Sequence, residues 1–135
     1  MTKQVLDVQQ MQHLQELGLD TSNASALYCI DNESGEKQLM WNEQVEETDK
    51  DDEYFRIVPA YTLHDVLDAL PKNIYRKYIG WTKLEIQAYS EAKYVVGYRY
   101  IDTCDKYIVY RDGEELIDVA YTLLCWAIET GNVEM

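Results

Sequence analysis

Hydrophobic and polar positions recur with two different periods along this chain, and the switches between them mark its elements. Val8, Met11, Leu14 and Leu17 fall at helical spacing. They predict a first helix over Val8–Leu17, opened by Asp7 with Gln10 completing a capping box and closed by Gly18. Ala26–Ile30 and Gln38–Trp41 are short apolar runs on either side of the turn-rich Asn32–Lys37, the pattern of a hairpin. Tyr54–Ala60 reads as a strand, and Pro59, which cannot donate to a ladder, places it at an edge or a strand end. Leu63, Val66, Leu67 and Leu70 share one face of a second helix, Leu63–Leu70, with Thr62 as cap, Asp65 as its partner and Pro71 as the stop. Lys83–Tyr89, Lys93–Ile101 and Asp105–Arg111 alternate or run apolar between short polar turns, which predicts a three-stranded antiparallel meander. A last helix, capped by Asp112 with Glu115, carries Leu116, Ile117, Ala120, Leu123, Leu124, Ala127 and Ile128 on a wide apolar face up to Gly131. This order leaves few places for parallel crossovers. The expected fold class is α+β, a mainly antiparallel sheet with the C-terminal amphipathic helix packed across it, in one domain over residues 1–135.

Composition narrows the picture without changing it. At 135 residues and 47% apolar the chain can bury a core with no metal or disulfide staple, and low-complexity and disordered classes are excluded. No apolar run reaches the 18 or so residues of a membrane span, and residues 1–10 lack a basic stretch followed by an apolar segment, so a soluble, non-secreted protein is expected. Cys29, Cys104 and Cys125 are an odd number with no close spacing, which fits a reducing cytoplasm.

Charge is more telling. The net charge is −13, yet residues 72–111 carry 8 basic and 4 acidic residues, leaving −17 for the rest. Nucleic-acid binding by the whole surface is disfavoured, because phosphate contact needs Lys and Arg. Glu43–Glu53 holds seven acidic residues and one Lys, and their repulsion predicts a solvated loop. Within it, Glu46, Glu47, Asp49, Asp51, Asp52 and Glu53 form a candidate acidic surface for a partner, and one reading of it is mimicry of nucleic acid. The alternation of Asp49, Asp51 and Glu53 imitates the start of a calcium loop. Position six is Tyr54 where the turn needs Gly, and position twelve is Ala60 where a bidentate Glu is needed.

Catalytic patterns are equally incomplete. His13 and His64 have no second ligand at metal spacing, Cys125 lies in an apolar run as a small core residue would, and the acidic neighbours of Cys104 oppose a thiolate. Asp65 or Asp68 with Glu91 and Lys93 imitates a magnesium-dependent nuclease, but Glu91 falls in a predicted turn. Gly97 and Gly113 are isolated and make no phosphate loop. No catalytic residue, metal or cofactor is therefore expected.

The basic segment is also the aromatic one. Tyr75, Tyr78, Tyr89, Tyr94, Tyr98, Tyr100, Tyr107 and Tyr110 are eight of the twelve tyrosines, either half-buried strand residues or a stacking surface. As a pocket for a nucleotide-type anion, Lys83, Arg99 and Arg111 would supply charge, with Tyr98, Tyr100 or Tyr107 to stack. Register decides which of these share a face. Pairing Ile101 with Lys106 puts Tyr98 and Tyr100 on the side of Tyr107 and Arg111, whereas pairing Ile101 with Asp105 places Arg99 beside Tyr107.

Tyr61–Lys72 (YTLHDVLDALPK) and Leu116–Asn132 (LIDVAYTLLCWAIETGN) resemble the paired helix motifs of small proteins of unassigned role from phages and mobile elements of gut Bacteroides-type bacteria. With the strands between, the likeness covers about the C-terminal half; the acidic stretch lies outside the pattern. The resemblance implies a phage or mobile-element setting and supplies no catalytic residues. Joined to the acidic excess, it leads to the expectation of a non-enzymatic accessory protein that binds and modulates a host protein, such as a defence component, without direct contact to nucleic acid or membrane. A small-ligand binder for a nucleotide-type anion is the alternative, ahead of a nucleic-acid mimic or a metal-dependent nuclease.

Overall fold

A computed structural model of the chain describes residues 3–41, 55–78, 80–90, 93–102 and 106–133. The acidic stretch 43–53, with Glu46, Glu47, Asp49, Asp51, Asp52 and Glu53, lies outside the described residues, as do Tyr54, Glu91 and Cys104. The element order is α1 (Val8–Glu16), β1 (Ala26–Asp31), β2 (Lys37–Trp41), β3 (Phe55–Ala60), α2 (Leu63–Ala69), β4 (Asn73–Arg76), β5 (Gly80–Ser90), β6 (Lys93–Tyr100), β7 (Tyr107–Gly113) and α3 (Leu116–Glu129). All strand pairings between these elements are antiparallel, and the fold is α+β as expected.

The first two helices begin where their caps dictate. The Asp7 carboxylate accepts the Gln10 amide at 2.8 Å while the Gln10 side chain accepts the Asp7 amide at 3.0 Å. Thr62 and Asp65 make the same reciprocal pair at 3.2 and 3.0 Å, satisfying donors that the first turn leaves open. Leu70 ends α2 in an extended conformation, the one that Pro71 imposes on the residue before it.

The start of α3 departs from the sequence reading. Asp112 does not cap it: β7 runs on to Gly113, Asp112 stands opposite Val95, and Glu115 occupies the N-cap without a side-chain cap bond. The sheet ladder claims the Asp112 backbone before the helix can. Lys3 and Gln10 instead donate to the Asp118 carboxylate in the first turn, at 2.8 and 2.9 Å, and tie the N-terminal segment to α3.

The strands divide into two sheets, β2-β1-β3 and β4-β5-β6-β7. Pro59 lies on β3, an edge strand of the first sheet. β4 has no counterpart in the sequence reading and β5 starts three residues earlier than expected, because a four-residue strand with one buried residue, Ile74, leaves almost no period to detect. Its turn to β5 uses positive φ at Tyr78 (73°) and Gly80 (105°).

α3 packs on β6, β7 and α2, while α1 packs on β3. Ile117, Ala120, Leu123, Leu124 and Ala127 of α3 meet Val96 and Tyr98 of β6, and the same core continues through Leu6, Met11, Leu14, Tyr61, Val66 and Leu70 to Ile30 and Val58 of the first sheet. Leu116, expected in this core, is only half-buried. No helix among the described residues is long and apolar enough to cross a membrane.

The start of β1 is fastened to α2 through Asp65, a buried carboxylate that accepts the Ser25 amide at 2.9 Å and the Ser25 hydroxyl at 2.7 Å. Burial alone would raise its pKa, but the hydrogen bonds from Ser25 and Thr62 outweigh that and hold it below the ordinary value.

Two consequences are measurable. Leu124→Ala, at a site with no exposure, should cost about 2–5 kcal/mol in denaturant unfolding, and a change within about 0.5 kcal/mol would contradict the packing of α3 on the sheet. A depressed folded-state pKa means that the Asp65 contribution is complete above the unfolded value of about 3.9 and is lost as pH falls through the folded value. Ser25→Ala should therefore raise the Asp65 titration midpoint followed by carbon-13 NMR, and an unmoved midpoint would show that Ser25 does not hold it.

Candidate functional site

Successive residues of a strand point to opposite sides, so the face of the four-stranded sheet away from α3 follows from the register. Val96 and Tyr98 of β6 enter the core under α3, which leaves Lys93, Val95, Gly97 and Arg99 on the opposite face. Beside them lie Lys83, Glu85, Gln87 and Tyr89 of β5, Tyr75 of β4 opposite Trp81 of β5, and Tyr107, Tyr110 and Asp112 of β7. Aromatic residues here stay in solvent: Tyr75 is 57% exposed, Trp81 55%, Tyr89 65% and Tyr110 55%. Such a face departs from the usual alternation, in which the outer side of a half-covered sheet is polar.

A β-bulge shapes this face. Arg99 stands opposite Tyr107, but Tyr98 stands opposite Val109, so Ile108 is an extra residue in β7. Each of the two registers weighed for this turn therefore applies on one side of Ile108. In an unbroken strand Tyr107 and Tyr110 would point to opposite faces. With the bulge, both rings lie on the outer face, their centroids 5.8 Å apart and inclined at 60°. Gly97 makes room beneath them: a Cβ there would be 2.6 Å from the Val109 carbonyl oxygen, 2.8 Å from Tyr110 Cβ and 2.9 Å from Tyr107 Cδ1.

The polar groups of the face hold one another. Arg99 Nη1 donates to both oxygens of Glu85 at 3.2 and 3.1 Å, and the Tyr107 hydroxyl donates to Glu85 at 3.2 Å. Partial burial works against the Glu85 charge, but Arg99, the Tyr107 hydroxyl and nearby Lys83 prevail and lower its pKa. Partial burial and the Glu85 carboxylate raise that of Tyr107. Lys93 pairs with Asp112 at 3.1 Å. Between these pairs opens a shallow cavity of about 360 Å³ lined by Tyr89, Lys93, Val95, Tyr107, Tyr110 and Asp112. At the far corner Tyr75 and Trp81 pack with centroids 5.3 Å apart and planes inclined at 57°.

The sheet separates the residues proposed from sequence as a ligand site. Lys83, Arg99 and Tyr107 share the outer face, whereas Tyr98, Tyr100 and Arg111 lie on the side of α3. Tyr98 is fully buried, donates its hydroxyl to the Pro71 carbonyl at 2.7 Å, and has its pKa pushed up by burial. Tyr100 stands opposite buried Thr82, and Arg111 opposite Val96, donating to the Tyr110 carbonyl at 2.9 Å. Sequence reasoning missed Tyr89, Lys93, Tyr110 and Asp112 as lining residues. Strand alternation could have supplied Tyr89 and Lys93, but only the bulge puts Tyr110 and Asp112 on the same face as Tyr107.

The remaining candidates are dispersed. His64 pairs with Asp68 at 3.0 Å on the exposed side of α2, and His13 lies 6.4 Å from Tyr121, centroid to centroid. Burial raises the Cys125 thiol pKa against a hydrogen bond with Tyr121. Asp65 is engaged by Ser25 and Thr62, and Lys93 by Asp112. Among the described residues no three His, Cys, Asp or Glu side chains converge as a metal site would require. Comparison with protein-family models, curated proteins and solved structures finds no match.

Gly97→Ala tests whether the aromatic pair depends on the missing side chain. Because the added methyl meets a backbone oxygen, it should destabilise the fold by roughly 1–3 kcal/mol and alter the near-ultraviolet circular dichroism of the tyrosines. Unchanged stability and an unchanged tyrosine spectrum would contradict the close approach.

Proposed function

We propose that this chain is a non-enzymatic accessory protein of a phage or mobile element, acting in the host cytoplasm, that binds and modulates a host protein through the open face of its four-stranded sheet. The observation that carries the reading is the exposure of Tyr75, Trp81, Tyr89 and Tyr110 on one face of a sheet whose other face holds the core. Exposed aromatic groups of this kind are the anchors of protein interfaces, where they bury large areas at small entropic cost. The phage setting rests on the resemblance carried by Tyr61–Lys72 and Leu116–Asn132. A defence component is a suitable partner in that setting.

Capture of a nucleotide-type anion has less support. Of its three proposed cations, Arg99 is held by Glu85 and Arg111 lies on the opposite face. The net charge of −13 also opposes an anion's approach.

Trp81→Asp should weaken capture of a host protein from lysate by roughly 30-fold or more, the size of an interface hot spot, with the folded far-ultraviolet circular dichroism spectrum retained. Gln12→Ala, on the exposed side of α1, should leave capture intact. Capture indifferent to Trp81→Asp, or no capture by the wild-type chain at low salt, would refute the reading.

A further inference from the structure

The cavity on the open face has a chemistry of its own. We infer that it receives the guanidinium of an arginine on the partner protein, seated among Tyr89, Tyr107 and Tyr110 with its donors toward Asp112. The inference rests on the docking reading above and adds the partner's charge to it.

Three observations converge. Tyrosine faces carry negative potential, and the planar guanidinium is the side chain best suited to stack on them while its fork engages a carboxylate. The carboxylate is in place, and it already holds a cation, since the Lys93 ammonium lies 3.1 Å from Asp112 in the same cavity. Charge complementarity extends past the rim. Asp112 also borders a second cavity of about 370 Å³, where Glu114, Glu115 and Asp118 follow. A segment continuing from the seated arginine toward α3 meets Glu114 and Glu115, Asp118 being already held by Lys3 at 2.8 Å, on a chain whose net charge of −13 draws basic surfaces.

Lys93 then acts as an internal competitor for Asp112, which separates a cationic occupant from an anionic one. With the Lys93 ammonium removed, a guanidinium should bind more tightly, whereas an anion should lose the one cation among the described lining residues. Lys93 and Asp112 are both about half exposed, so substitution of either should leave the fold intact.

The experiment is an NMR titration of the full chain at low ionic strength, following the tyrosine ring signals. The probes are a Gly/Ser pentapeptide with one central Arg, its Glu counterpart and adenosine monophosphate. The arginyl peptide should shift Tyr89, Tyr107 and Tyr110, bind about tenfold more weakly to Asp112→Asn, and bind more tightly to Lys93→Gln. Shifts of these rings by the glutamyl peptide or the nucleotide, abolished in Lys93→Gln, would overturn the inference in favour of an anion. Absence of any shift by the arginyl peptide, or a shift indifferent to both substitutions, would overturn it as well. Partner capture distinguishes this failure from failure of the docking reading: capture lost in Trp81→Asp but kept in Asp112→Asn would remove the guanidinium alone.

Discussion

One helix and a four-stranded sheet set the terms of this structure, because α3 can cover only one of the sheet's two faces. Val96 and Tyr98 pack beneath Leu123 and Leu124 in a core that also takes in α1, α2 and the smaller sheet. Burial of each such side chain contributes about 1.5–3 kcal/mol, so this face fixes the register of β6 against α3. With that register fixed, Val95, Gly97 and Arg99 must face away. The open face is a consequence of the packing, and its composition is what calls for a function.

That composition divides into ionic and aromatic parts. Glu85, Arg99 and the Tyr107 hydroxyl satisfy one another in the middle of the face, and Lys93 with Asp112 does so at one end. Lys93–Asp112, about half exposed, is worth little to stability, while Arg99–Glu85 is more covered. Their effect here is to hold the Tyr107 ring in position and to offset the charges of Arg99 and Lys93, so that the basic balance of residues 72–111 is reduced on this face. The acidic character of the whole chain then governs what approaches.

Much of this was legible from the sequence where the signal is local. Reciprocal capping at Asp7–Gln10 and Thr62–Asp65, the stop at Pro71 and the apolar stripe of α3 depend on residues a few positions apart, and each stands as read. Asp112 misled because the same Asp-x-x-Glu spacing serves a helix cap or the end of a strand, and only β6 decides between them. The candidate site failed to come together for a related reason. Tyr98 and Tyr100 flank Arg99 on β6, so alternation alone sends them to the other face, while the extra residue Ile108 parts Tyr107 from Arg111, and a bulge leaves no periodic trace in a seven-residue strand. Gly97, read only as an isolated glycine that makes no phosphate loop, is the β6 position opposite Tyr110 that admits the bulged tyrosines.

The central claim is that the bare aromatic face is where a partner docks, and radical footprinting of the free and partner-bound chain measures it directly. Tyr75, Trp81, Tyr89 and Tyr110 should label readily in the free chain while buried Tyr61 and Tyr98 resist, and in the complex the four exposed residues should become protected while Trp41 on β2 stays reactive. Protection that falls on Trp41 and leaves the four unchanged would contradict the account.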